Sequence, residues 1–160
     1  MNLAVVYTRS KQPAKAETTL KKALPLAPKR SKVKVILSLG FAQANQKKYQ
    51  GAIATYKKAL AIKSKDPLAN YRIASAYLET KQYQSAINHA RRALSSKYAV
   101  PANVVIADSL EGMKLGGWKE KAISHYKKAL KDRRYQKYAE DKIDRILNPM
   151  GDDGETAEGN

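Results

Sequence analysis

The 160-residue chain contains no cysteine, which excludes a disulfide framework, a thiolate metal site and a cysteine nucleophile. No apolar run approaches the roughly 20 residues that a membrane helix needs. Leu3 to Tyr7 is too short and too weakly flanked to serve as a signal peptide. A soluble, cytoplasmic protein is the expectation. No glycine-rich phosphate loop, apolar carboxylate pair or Ser-His constellation occurs. His89 and His125 occupy matching places in the sequence, but no third ligand accompanies them at helical spacing. The chain is therefore expected to be no enzyme, and to have no metal, no cofactor and no small-molecule substrate.

Acidic residues are also scarce, 14 against 31 lysines and arginines, for a net charge of +17. Four of the acids, Asp152, Asp153, Glu155 and Glu158, follow Pro149 without a cation among them, so residues 1–150 carry about +21. Such a charge attracts polyanions, acidic peptides and anionic membrane surfaces without choosing among them.

What the chain does have is a repeated phrase. Two cations, Ala and Leu recur at Lys21 to Leu24, Lys57 to Leu60, Arg91 to Leu94 and Lys127 to Leu130, with the alanines 36, 34 and 36 residues apart. A fixed period of this length marks a repeat array. In the second unit, Ile36, Leu39, Gly40, Tyr49, Ala52, Tyr56, Ala59 and Leu60 place one apolar stripe on each of two short helices, from about Val33 to Asn45 and from about Tyr49 to Ile62. The third unit repeats the scheme, opened by Asp66 as a helix cap and Pro67 in the first turn. In the fourth, Gly116-Gly117 is expected to end the first helix in a left-handed conformation. Tyr138, Ala139, Ile143, Ile146 and Leu147 lie on one face of a terminal helix.

Leu39-Gly40, Tyr77, Ala52-x-x-x-Tyr56, and Ala16-x-x-x-Leu20 with Pro28 resemble the signature of the tetratricopeptide-repeat (TPR) family. The resemblance covers residues 1 to about 134 and departs at Asn70, in a column where the family usually keeps a large apolar residue, which implies a loose joint there. It implies an all-α fold, a right-handed α-solenoid of antiparallel helix pairs (TPR array) with a C-terminal capping helix. The array is expected over residues 1–147, with repeats at about 1–32, 33–66, 67–100 and 101–134 and a capping helix at about 136–147. Residues 148–160 read as a disordered acidic tail, which could fold back on the basic surface. The first helix is short by about one turn at Met1, so the chain is either a piece of a longer array or begins in a worn-down repeat.

In this family the first helices line a concave groove that receives an extended peptide or a helix. The resemblance places Lys34, Leu37, Ser38, Phe41 and Asn45, then Leu68, Tyr71, Arg72, Ser75 and Glu79, then Val104, Val105, Asp108 and Glu111 on that groove. Phe41 is either an exposed aromatic anchor or packed against Tyr71. Chaperone-adaptor members grip two carboxylates of a carboxy-terminal peptide. Their five gripping columns here hold Met1, Val5, Ser38, Leu68 and Arg72, and only Arg72 agrees, so no chaperone-tail clamp is expected.

The cation doublets Lys21-Lys22, Lys57-Lys58, Arg91-Arg92 and Lys127-Lys128 fall roughly 105° and 205° from the apolar stripe of their helix and point outward. They form either a solvated face or a basic strip able to contact several phosphates. The leading reading is a protein-protein interaction scaffold with an acidic peptide or helix as partner, the binding groove comprising Lys34, Leu37, Phe41, Asn45, Tyr71, Arg72 and Ser75. The alternatives are an accessory factor for nucleic acid or an anionic membrane, with non-specific polyanion binding by the strip, and a homo-oligomeric, self-assembling scaffold.

Overall fold

A computed structural model describes residues 12–149. Eight α-helices and no strand occur among the described residues: α1 (Pro13–Ala23), α2 (Lys29–Ala44), α3 (Tyr49–Ile62), α4 (Pro67–Glu79), α5 (Tyr83–Arg91), α6 (Ala99–Met113), α7 (Trp118–Ala129) and α8 (Gln136–Leu147). Their short connections make chain neighbours antiparallel. Each helix packs mainly on the helices before and after it, while α4 also touches α2 and α6. Alternate helices thus form one layer of an α-solenoid.

Local chemistry sets the helix ends. Asp66 Oδ1 accepts a hydrogen bond from the Ala69 amide at 2.9 Å, and Pro67 occupies the first turn of α4. Helix α2 starts at Lys29, directly after Pro28, about one turn earlier than the apolar pattern predicts. Its first turn is polar, and such a turn carries no stripe to read. The turn expected at Gly116-Gly117 differs in kind. Lys114, at φ 49°, ends α6 in the left-handed region, and Gly117, at φ 68°, precedes α7. Lys47 and Lys81 adopt the same left-handed conformation after α2 and α4, at φ 58° and 57°. The lysine side chains stay in solvent while the backbone reverses.

The core is a chain of clusters rather than a single centre. Ala16, Leu20, Leu39 and Ala42 join α1 to α2. Ile36, Ala59 and Ala69 join α2, α3 and α4. A larger cluster with Tyr56, Ile73, Ala90 and Ile106 spans α3 to α6, and another with Ala107, Tyr126 and Ala139 spans α6 to α8. Glu17 fastens the first joint. Its carboxylate accepts from Lys21 and Lys48 at 2.8 and 2.9 Å and from Gln46 at 2.8 Å, contacts that hold its pKa down at about 2. Asn70, where a loose joint was predicted, is fully buried and bonded: its Nδ2 donates to the Asp66 carbonyl at 3.0 Å.

Gly40 faces the ring of the buried Tyr56 so closely that a methyl group would overlap it, whereas at Gly51 a methyl would meet only Gln43, at 3.8 Å. Gly40→Ala gains helix propensity of about 1 kcal/mol, less than the cost of overpacking, about 1–3 kcal/mol. The urea midpoint is expected to fall in Gly40→Ala and to stay level or rise in Gly51→Ala.

Candidate functional site

Helices α2 and α4 lie side by side, and between them opens a cleft of about 540 Å³. Its apolar floor comes from Val33, Leu37, Phe41 and Leu68, and its rim carries Arg30, Lys34, Lys63 and Arg72. The lone acid on the rim, Asp66, is held by Lys63 at 3.1 Å and by the cap of α4. The cleft is therefore apolar below and positive above.

At its inner end the Arg72 guanidinium lies over the Phe41 ring, 4.3 Å from the centroid, and 5.8 Å from the Tyr71 ring. A cation over an aromatic face is attracted by the ring quadrupole. Tyr71 itself stacks on Tyr98 of the α5–α6 connection, with centroids 5.9 Å apart and planes 7° from parallel. Phe41 and Tyr71 are thus joined through Arg72, an arrangement neither of the two expectations for Phe41 contained. Beyond the stack lies a second cleft of about 210 Å³, lined by Ala44, Asn45 and Tyr49 on one side and Arg72, Ser75 and Glu79 on the other, with Tyr56 beneath. Tyr49 Oη donates to Glu79 Oε2 at 3.2 Å. Among the described residues the buried Tyr56 hydroxyl has no hydrogen-bond partner, and burial pushes its pKa up to about 12 against the opposing pull of Arg72.

Lys34, Leu37, Phe41, Asn45, Arg72 and Ser75 all line one cleft or the other, and Tyr71 touches the site through Arg72. The predicted lining on α6 is different. Val104 and Val105 are buried in the core, because α6 is enclosed by α4, α5, α7 and α8 and is apolar on nearly every side. Asp108 and Glu111 are occupied within the molecule. Tyr126 Oη donates to Asp108 Oδ1 at 2.6 Å and stands 2.9 Å from Glu111 Oε2, Tyr138 donates to Asp108 at 2.8 Å, and Lys142 holds Glu111 at 2.7 Å. Burial raises the pKa of Asp108 despite these donors.

All eight doublet cations are exposed: Lys21, Lys22, Lys57, Lys58, Arg91, Arg92, Lys127 and Lys128. Lys21 is ion-paired with Glu17, and Lys57 lies 5.8 Å over the Tyr77 ring. The matching histidines have matching partners. His89 Nδ1 donates to Asn70 Oδ1 at 3.0 Å, and His125 Nδ1 donates to Asn103 Oδ1 at 2.7 Å. Each asparagine gives its Nδ2 to a carbonyl of its own helix, which fixes the amide orientation and so the tautomer. Among the described residues no group of three or more His, Cys, Asp or Glu is placed to hold a metal. No helix among them is long and apolar enough to cross a membrane. The acidic tail and the first-helix residues of the opening unit lie outside the described residues.

Sequence reading missed Arg30, Val33 and Lys63 as lining, since they sit at helix ends where the apolar pattern fades. Tyr56, expected in the buried stripe of its helix, is fully buried and also lies beneath the second cleft.

A family model described as "TPR repeat" matches residues 40–81, and one described as "Tetratricopeptide repeat" matches residues 1–30 and 68–99. Among solved structures, a crystal structure of MamA superposes with a TM-score of 0.78 at 22% identity, covering 93% of this chain and 85% of that one. MamA 41-end from Desulfovibrio magneticus RS-1 gives 0.77 at 21% identity, covering 91% and 80%. These similarities show the fold. No curated protein matches the chain.

The histidines make stability depend on pH. Burial, and then Arg92 and Lys57 beside His89 and Lys128 and Arg91 beside His125, lower both pKa values. The folded chain keeps these rings neutral to lower pH than the unfolded chain does, so their contribution is complete above about 6.5 and is lost as pH falls below it. Urea midpoints are expected to fall between about pH 7.5 and 5.5, and to fall less in His89→Gln with His125→Gln.

Proposed function

The chain belongs to the tetratricopeptide-repeat family, whose generally non-enzymatic arrays act as protein-protein interaction scaffolds, and from that premise we propose that it receives an acidic peptide or helix of a partner in the groove between α2 and α4. The observation that supports this is the composition of the larger cleft: an apolar floor of Val33, Leu37, Phe41 and Leu68 under four cations and a single neutralised acid. An aliphatic or aromatic side chain of the partner buries on that floor, and carboxylates beside it meet the rim. Hydrophobic burial supplies affinity, at about 25 cal/mol per Å² removed from water. The rim supplies the choice of acidic over basic partners and speeds encounter. Phe41 is the anchor, held flat by Arg72 before any partner arrives, so little side-chain freedom is lost on binding.

The exposed doublets favour a second, weaker role as a polyanion-binding face of an accessory factor. Eight cations toward the ends of the four alternate helices α1, α3, α5 and α7 would meet several phosphates at once, and the affinity would then fall steeply with salt.

The two readings separate by mutation. Acetylated, amidated peptide pools rich in Leu, Glu and Asp, labelled with fluorescein, are expected to bind at physiological salt. Phe41→Ala should weaken them about tenfold, while Lys57→Glu with Lys58→Glu and Arg91→Glu should change affinity by less than about threefold. A labelled single-stranded oligonucleotide should show the reverse sensitivity and a steep salt dependence. Loss of peptide binding in the strip variant alone would overturn the groove as the site, provided circular dichroism shows both variants folded.

A further inference from the structure

The fold contains its own example of how a carboxylate is bound, and the same fittings stand beside the second cleft, whose own carboxylate, Glu79, accepts from Tyr49 instead. Aligned by their buried alanines, α2, α3 and α4 correspond to α6, α7 and α8: Gly40 matches Ala107, Ala59 matches Ala129, and Ala69 matches Ala139. In this register Tyr56 falls on Tyr126, Arg72 on Lys142, and Ala44 on Glu111. In the later unit the Tyr126 hydroxyl donates to Asp108 Oδ1 at 2.6 Å and stands 2.9 Å from Glu111 Oε2, which the Lys142 ammonium holds at 2.7 Å. In the earlier unit the hydroxyl and the cation are both present, but the carboxylate columns hold Ala44 and Phe41.

Among the described residues, two independent features show that these fittings are unsatisfied. The Tyr56 side chain is fully buried, lines the second cleft, and has no partner for its hydroxyl. Among the described residues no ion pair involves Arg72, which lines the same cleft half-buried on the Phe41 ring. An unsatisfied buried hydroxyl is costly, and guanidinium is the side chain best suited to a planar carboxylate.

We propose that the second cleft is a carboxylate subsite in which Arg72 and the Tyr56 hydroxyl bind a glutamate side chain of a partner peptide over Ala44, as Lys142 and Tyr126 together hold the Glu111 and Asp108 carboxylates. This rests on the groove reading above and deepens it. The large cleft takes an apolar residue and its acidic neighbours, and the small one takes one glutamate beyond the Phe41–Arg72 stack. A single side-chain carboxylate is recognised here, with no requirement for a free carboxy terminus. The central unit lacks the subsite, since its matching columns hold Ala90 and Val105.

The test uses three fluorescein-labelled heptapeptide pools at physiological salt: acetylated and amidated with Glu fixed at the centre, the same with Gln, and the Gln pool with a free carboxy terminus. The Glu pool is expected to bind about tenfold tighter than the Gln pool. Arg72→Gln should bring the two within about twofold and Tyr56→Phe should reduce the preference severalfold, while Lys58→Gln, an equal charge change on the outer face, should leave it intact. Tyr56→Phe should not lower the urea midpoint, because its hydroxyl has no bond to lose, whereas Tyr126→Phe should. Ala44→Glu, which supplies the missing carboxylate from within, should raise the midpoint, abolish the preference for the Glu pool, and fail to do the first in the presence of Arg72→Gln.

Equal binding of the Glu and Gln pools, with both sensitive to Phe41→Ala, would overturn the subsite and leave the groove reading standing. No binding of any pool would overturn both. A preference confined to the free terminus would overturn the side-chain assignment, and an equal loss in Lys58→Gln would reduce the effect to net charge.

Discussion

The helices of this chain approach one another through alanine. Ala16, Ala42, Ala52, Ala59, Ala69, Ala74, Ala86, Ala90, Ala93, Ala102, Ala107, Ala122, Ala129 and Ala139 are all fully or almost fully buried, and a methyl group at each crossing lets backbones pack more closely than a leucine would. Close crossings give a stable pitch but bury little area per joint. The area is supplied by a few rings and branched side chains placed between crossings, chief among them Tyr56, Tyr126, Ile73 and Ile106. Gly40 extends the same logic to its limit, since there even a methyl is excluded by Tyr56. Everything at the surface of the groove hangs on this spacing, for α2 and α4 are separated by the width that Ala59 and Ala69 allow.

Charge is arranged around that frame by scarcity. The cations outnumber the acids so heavily that repulsion works against the compact state, and four of the described acids stand where helices meet. Glu17 ties α1 to α2 and its following turn, Asp66 caps α4, and Asp108 and Glu111 bind α6 to α7 and α8. Lysines and arginines, by contrast, stand mostly on outer faces, apart from those around the clefts. An acidic partner would therefore meet one neutralised acid, Asp66, at the larger cleft and Glu79, bonded to Tyr49, at the smaller.

The fold was legible because packing repeats. The Ala-Leu phrase recurs wherever a second helix meets its neighbours, and Ala52 and Tyr56 announce the stripe without help from tertiary structure. The ends of helices were less legible. Lys29 to Lys32 carry no apolar period, and Lys114 takes a left-handed conformation that a Gly-Gly pair advertises more loudly. The groove on α2 and α4 could be read from Phe41 and Arg72, but not its limit at α6, because whether Val104 faces a partner or a neighbouring helix depends on where α8 lies. Asn70 and Asn103 show the same blindness toward pairs: each is an odd residue alone and an ordinary one beside His89 or His125.

The polarity of the molecule follows from three columns. Where the second helix carries tyrosine and the next first helix carries a cation, the space between them is built for a carboxylate. At α6 to α8 the chain fills that space itself with Glu111, and the tyrosine, lysine and carboxylate become a fastening for the terminal helix. At α4 to α6 alanine and valine close it with apolar contact. At α2 to α4 the tyrosine and arginine remain while the carboxylate is replaced by Ala44, so a buried hydroxyl and a guanidinium are both left beside an open cleft. A single scaffold thus uses one geometry for internal stability at its carboxy-terminal end and leaves it open toward its amino-terminal end. The exchange costs the earlier unit a hydrogen bond it could have made, and a cost of about 1–3 kcal/mol at a fully buried hydroxyl persists most readily where a ligand removes it.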